Sequence, residues 1–189
     1  MVLNHLGLYT GISKHYPNKW LKMYKIIDNC ITKNKQKMLI HNIINNPLFP
    51  WYFNKDVTHE NGLQNRPSFS HCFVKERNKN SSAADLICFE FSKYIKKQII
   101  SCKTIMQLPL KQPNNKYDTP HVDLKIPHTV YLYYLIDSDG ETVLFKNKKI
   151  HKKIKPKQGR LLVFDGSILH TAYQPKDNLR CIINIDVEK

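Results

Sequence analysis

The sequence predicts an α+β fold: a double-stranded β-helix of the jelly-roll, cupin-like kind, carried on N-terminal supporting helices. Two observations predict it. In the first half of the 189-residue chain, apolar residues recur at helical spacing. From Lys103 onward they fall in short runs, broken every eight to twelve positions by turn residues, and eight such runs suit a jelly roll. A single domain is expected, with a mainly helical lead-in over residues 1–102 and a β core over residues 103–189.

Element by element, Trp20, Tyr24, Ile27 and Ile31, widened by Met23 and Ile26, predict a first helix starting after Pro17. A second is expected from Lys35 to Asn45, ended by Pro47. The segment Leu48-Phe49-Pro50-Trp51-Tyr52-Phe53 mixes prolines with aromatics and reads as an extended stretch packed on the core. A strand follows near Ser68 to Val74. Ser82 and Asp85 resemble a helix-capping pair, and Ile87, Phe91, Tyr94, Ile95 and Ile99 keep a 3.6 period beyond it. That helix is expected to back a sheet. The eight core strands are Lys103–Leu110, Asp118–Asp123, Thr129–Ile136, Glu141–Lys146, Lys149–Lys155, Arg160–Asp165, Ile168–Tyr173 and Leu179–Val187, with Pro, Gly, Asn and Asp between them.

The formal net charge is +15, which raises nucleic acid as a partner. The charge is dispersed, however, and nearly all lysine, alongside abundant Asn and Ile, as AT-rich coding imposes. Phosphate recognition favours arginine forks, and the chain has only Arg66, Arg77, Arg160 and Arg180. The densest basic run, Lys146 to Lys153, falls where a strand turn is expected. Five scattered cysteines without a Cys-x-x-Cys pair read as reduced thiols. No apolar run approaches the roughly 20 residues of a membrane span, and the N-terminus lacks the pattern of a secretory signal. An intracellular, cytoplasmic protein is expected.

The residues that carry chemistry are His121-Val122-Asp123, His170 and Arg180. A His-x-Asp triplet alone means little: with this many histidines and aspartates, roughly half a match arises by chance. Context strengthens it. On an extended segment residues two apart share a face, so His121 and Asp123 can serve one ion. His170 follows a strand and a Gly166 turn. Two imidazoles with one carboxylate suit a non-haem Fe(II) held on one face with open positions opposite. Arg180 opens the last strand among apolar neighbours, facing the same way as Ile182, Asn184 and Asp186. A buried guanidinium there is costly unless an anion meets it.

From Thr119 to Asn184 the chain resembles the catalytic core of the 2-oxoglutarate- and Fe(II)-dependent dioxygenases, in their prolyl-4-hydroxylase-like branch. The matching pieces are His121-x-Asp123, Tyr131-Leu132-Tyr133-Tyr134-Leu135, Asp139 to Phe145, Pro156 to Phe164, His170 and Arg180. It is most similar to the short stand-alone versions of phages, algal viruses and marine microbes. The resemblance implies that His121, Asp123 and His170 bind iron. It implies that Arg180 and Tyr134 bind the distal carboxylate of 2-oxoglutarate, while Tyr131 and Tyr133 face away and pack. Thr142 and Asn184 are candidate pocket residues. O2 is the further cosubstrate, ascorbate a candidate auxiliary reductant, and succinate and CO2 the co-products. The implied primary substrate is a prolyl or other residue of a protein or peptide. After His121 the stretch to His128 is shorter than in several relatives, which leaves the substrate loop undefined. His71, His128 and His151 read as surface or packing residues.

Three competing functions are weighed. A nucleic-acid demethylase is disfavoured by the dispersed lysines. A non-enzymatic basic binding barrel is disfavoured by the intact ligand set. A metal-dependent cupin enzyme without cosubstrate would have no carboxylate for Arg180.

Overall fold

The computed structural model describes residues 23–57, 66–110 and 117–189. Among these, the β core is built as two antiparallel sheets. Its strands are β5 (Ile99–Gln107), β6 (His128–Tyr134), β7 (Thr142–Lys146), β8 (Lys149–Ile154), β9 (Leu161–Asp165), β10 (His170–Ala172) and β11 (Arg180–Glu188). The lead-in adds β1 (Tyr24–Ile27), α1 (Lys33–Ile43), β2 (Tyr52–Asn54), β3 (Ser68–Lys75), β4 (Asn78–Lys79) and α2 (Ala84–Phe91). The larger sheet runs β1-β9-β6-β11-β5-β3-β2, with β4 on β3, and the smaller one β10-β7-β8. This is the double-stranded β-helix the sequence predicts. No described helix is long and apolar enough to cross a membrane.

In the larger sheet the central strands β6 and β11 are buried on both faces. On β6 and β11, Val130, Leu132, Tyr134 and Ile182 point between the sheets, where they meet Leu144, Ile154, Leu162 and Phe164. The alternate residues Tyr133, Ile183, Ile185 and Val187 point outward onto Leu39 and Ile43 of α1 and Ile87 and Phe91 of α2. Fully burying such side chains contributes roughly 1.5–3 kcal/mol each. Phe49 and Trp51 join this outer core, as the proline- and aromatic-rich stretch predicts. The β7–β8 hairpin turns through Asn147 and Lys148, both at positive φ, so its basic tip is set by turn chemistry.

Four local expectations are corrected. Tyr24–Ile27 is strand β1 rather than helix. It pairs with β9, and edge pairing outweighs the helical spacing there; Pro17 and Trp20 lie outside the described residues. The second helix starts two residues earlier than expected, where the Thr32 hydroxyl accepts the Lys35 amide at 3.4 Å as an N-cap. The third helix has no Ser82–Asp85 cap. Ala83 occupies the N-cap without a side-chain bond, and the helix stops at Phe91, where the Ser92 amide and hydroxyl both donate to the Phe89 carbonyl; Ile99 is strand, paired with Val187. Asp118–Asp123 forms isolated bridges, Tyr117 to Tyr173 and His121 to His170, instead of a strand. Pro120 between them has no amide to continue a ladder.

Candidate active site

The pocket between the sheets is lined by His121, Asp123, His170, Thr142, Arg180 and Asn184, along with Lys103, Gln107, Asp118 and apolar neighbours. The two histidines are joined through their own main chains. His121 N–H donates to the His170 carbonyl at 2.9 Å and His170 N–H to the His121 carbonyl at 3.0 Å. Their ring centroids stand 4.8 Å apart. Each Nδ1 lies 3.0 Å from the carbonyl two residues upstream, Thr119 and Ile168 respectively. With Nδ1–H spent on a carbonyl, each Nε2 keeps its lone pair, as a metal-ligating imidazole requires.

Both lone pairs face Asp123. Its Oδ2 is 3.3 Å from His170 Nε2 and its Oδ1 is 3.9 Å from His121 Nε2. One ligand atom from each of the three residues falls within 4.8 Å of the others. Burial opposes ionisation of Asp123, but a proton on His170 Nε2, where it is present, outweighs it and holds the carboxyl well below the usual range. Burial lowers the pKa of His121 and favours its neutral form. Asp123 Oδ2 is nevertheless buried without a hydrogen-bond partner. Two imidazole lone pairs and an orphaned carboxylate oxygen converge with no proton donor among them. That arrangement is costly alone and fits a divalent cation. His121 stands on the open side of the three, its side chain 27% exposed against 6% for Asp123 and His170.

Arg180 is 3% exposed. Its Nε donates to the Gly140 carbonyl at 3.0 Å, Nη1 to Gln107 Oε1 at 2.9 Å and Nη2 to Thr142 Oγ1 at 3.0 Å. A guanidinium has five N–H donors, so one is left on each terminal nitrogen, the pair a bidentate carboxylate accepts. Gly140 is required at this spot: a Cβ there would stand 2.9 Å from Arg180 Cδ. Asp118, the carboxylate that acts electrostatically on Arg180, is already engaged by Arg66 at 3.3 Å and by Gln107 Nε2 at 3.1 Å.

Tyr134 sits one layer back. Its hydroxyl donates to Thr142 Oγ1 at 2.8 Å, and burial pushes its pKa up to about 12, so it stays a donor. Thr142 thereby accepts from both Tyr134 and Arg180, and its own proton is free for the pocket. Asn184 also lines the pocket, with Oδ1 buried and unpartnered. Of the other histidines, His71 packs among Phe49, Tyr52 and Phe73, and His151 is exposed on β8. His128 is 1% exposed and stands 3.9 Å from Asp186. Burial, with the charge of Asp123 adding to it, pushes Asp186 up to about 8.

Sequence reasoning missed Lys103, Gln107 and Asp118. The signal that could have found two of them is polar Lys103 and Gln107 alternating with apolar Ile105 on a strand, the mark of a polar row on an inward face.

No protein-family model matches the chain. No curated protein matches it either. Solved structures do. An oxidoreductase of the 2OG-Fe(II) oxygenase family from Burkholderia pseudomallei superposes with a TM-score of 0.67 at 10% identity, covering 87% of this chain and 85% of that one. A prolyl hydroxylase from Trichoplax adhaerens, in complex with a hypoxia inducible factor peptide fragment, gives 0.60 at 15% identity over 89% and 84%. A viral collagen prolyl hydroxylase from Paramecium Bursaria Chlorella virus-1, in its 2OG complex, gives 0.55 at 20% identity over 88% and 96%. The chain therefore has the fold shared by these solved 2OG-Fe(II) oxygenase and prolyl hydroxylase structures.

Proposed function

We propose that the chain is an Fe(II)- and 2-oxoglutarate-dependent dioxygenase that hydroxylates a C–H bond of a prolyl or other residue in a protein or peptide. One observation carries the reading. A single pocket holds a convergent His121–Asp123–His170 lone-pair set and, one sheet row away, a buried guanidinium with two N–H groups to spare. A metal site alone would leave Arg180 without purpose, and an anion site alone would leave Asp123 Oδ2 without a partner.

His121, Asp123 and His170 would hold the metal, with each histidine fixed in the ligating tautomer by its backbone carbonyl. When bound, iron supplies the redox chemistry by which O2 and 2-oxoglutarate become succinate and CO2 while a substrate C–H becomes C–OH. Arg180 takes the distal carboxylate of the cosubstrate through its two remaining donors. Thr142 adds its hydroxyl proton, and Tyr134 behind it keeps that hydroxyl turned toward the ligand. Ile105, Leu132 and Ile182 line the floor and exclude water from the cosubstrate chain. A peptide reaches the site from the His121 side, where Val122 and Ile126 are exposed.

The test is anaerobic addition of Fe(II), then 2-oxoglutarate, to the metal-free protein. A visible metal-to-ligand charge-transfer band is expected, weakened in Arg180→Ala. Metal binding without a band favours a cupin that uses no cosubstrate. Absence of metal binding overturns the reading.

A further inference from the structure

Strand β8 lines no part of the pocket, yet the hairpin it forms with β7 holds the densest basic run in the sequence. From Thr142 to Phe164 there are seven lysines and one arginine, and no Asp or Glu. Some of these cations are engaged. Arg160 holds both oxygens of Asp28, at 2.6 and 3.1 Å, and Lys157 stands 3.7 Å from the same carboxylate. The Lys153 ammonium lies 4.5 Å over the Tyr173 ring. Lys148, Lys149, Lys152 and Lys155 are exposed, and none of them pairs with a carboxylate among the described residues.

These lysines flank an open sheet edge. In the smaller sheet β8 pairs with β7, and among the described residues no strand joins its other side. A row of main-chain N–H and C=O groups therefore faces outward. Both faces of that edge are basic. The register sets Lys149 and Lys152 opposite Lys146 and Leu144, which share one face of β7. Lys153 lies opposite Val143 and Ile150 opposite Phe145, on the other face, and Ile150 is 45% exposed.

We infer that the outer edge of β8 is a docking strand for an extended acidic segment of a partner protein, which adds to the sheet as its fourth strand. Its main chain satisfies the outward N–H and C=O row, its carboxylates meet the lysines on both faces, and an apolar side chain covers Ile150. A nucleic acid fits less well. It has no ladder to offer the open edge, and the one guanidinium in the run, the better phosphate fork, is already bidentate on Asp28. A second copy of β8 is repelled by its like charge, the usual protection of an edge strand. Residues 1–27 carry no Asp or Glu, so the start of the chain lacks the complementary charge. The docking strand is separate from the pocket and does not depend on a bound metal.

The experiment is fluorescence anisotropy of the full chain with three labelled probes. The first is a peptide of the length of β8, made of glutamates around a central valine. The second is the same peptide with alternate main-chain amides N-methylated, which keeps the charge and removes the ladder donors. The third is a single-stranded DNA of equal charge. The peptide is expected to bind, and N-methylation to weaken it about tenfold or more, for two or more lost main-chain bonds. Lys149→Glu with Lys152→Glu should also weaken it about tenfold or more. Lys96→Glu with Lys97→Glu makes the same change of net charge between α2 and β5 and should leave binding within about twofold. All four side chains are exposed, so the fold is not at stake. No binding of the peptide overturns the inference and leaves the lysines as edge protection alone. Equal binding of all three probes, or equal loss in the two double variants, overturns it in favour of diffuse attraction to polyanions.

Discussion

Replacing Thr142 by valine tests the anion end of the pocket without needing a metal. The substitution keeps the shape of a side chain that is 1% exposed and removes one oxygen. That oxygen accepts two bonds, from Tyr134 at 2.8 Å and Arg180 Nη2 at 3.0 Å. Tyr134 is fully buried, so its hydroxyl is left without an acceptor, at a cost of about 1–3 kcal/mol. The Arg180 bond involves a charged donor and contributes about 1.5–3 kcal/mol. The metal-free protein should therefore lose about 2.5–6 kcal/mol of stability in urea unfolding. Binding of 2-oxoglutarate should weaken about 10- to 150-fold, for one lost hydrogen bond to a charged carboxylate of about 1.5–3 kcal/mol. Tyr134→Phe removes the donor together with its need and should cost only about 1 kcal/mol. Adding it to Thr142→Val should restore part of the loss, with a coupling of about 1–3 kcal/mol. If Thr142→Val costs less than about 1 kcal/mol and the two changes simply add, the hydroxyl is not the shared acceptor described here.

Arg180→Ala should raise the 2-oxoglutarate requirement by about 10²-fold or more, for two charge-assisted bonds at about 1.5–3 kcal/mol each, while Fe(II) still binds; equilibrium dialysis separates the two. His121→Ala should abolish succinate formation, and full turnover in that variant would refute the ligand assignment. The carboxyl of Asp165 is opposed by burial but held down to about 2 by Lys189 and Ser167. Its folded pKa lies below the unfolded value near 4, so its contribution to stability is present above about pH 4 and is lost as pH falls toward 2. An NMR titration of Asp165 in Lys189→Met should show the pKa rising. Leu39→Ala, a fully buried residue between α1 and the sheet, should cost about 2–5 kcal/mol by thermal or urea unfolding.

How much of this was legible in the sequence depends on how local the cause is. The strands from β5 to β11 were readable as runs because Gly, Pro, Asn and Asp punctuate short apolar stretches and turn the chain for stereochemical reasons of their own, although β5 begins at Ile99, four residues before the run read at Lys103. His121, Asp123, His170 and Arg180 were legible as a candidate set, and the structure brings all four to one pocket. The means of convergence was not legible. Pro120 denies His121 a strand, and a two-bond bridge to His170, forty-nine positions away, replaces it. The Arg66–Asp118–Gln107–Arg180 chain links segments far apart in sequence, and no local pattern announces it. Residues Tyr24 to Ile27 carried a helical spacing that an available sheet edge overrode. His128 looked ordinary because what distinguishes it, the space left by Gly166, comes from another strand turn.

The two-faced character of β11 bears on how the chain finds its pairing. Cys181, Ile183, Ile185 and Val187 look toward the helices, while Arg180 and Asn184 line the pocket and Asp186 shares their face of the strand. Sliding β11 by one residue against β5 or β6 would exchange these rows and drive a guanidinium, an amide and a carboxylate into the packed apolar layer, each uncompensated polar group costing several kcal/mol. The residues that make the pocket reactive thus also act as a proofreading code for strand alignment. An all-apolar β11 would bury more hydrocarbon, yet it would tolerate the wrong alignment almost as readily as the right one.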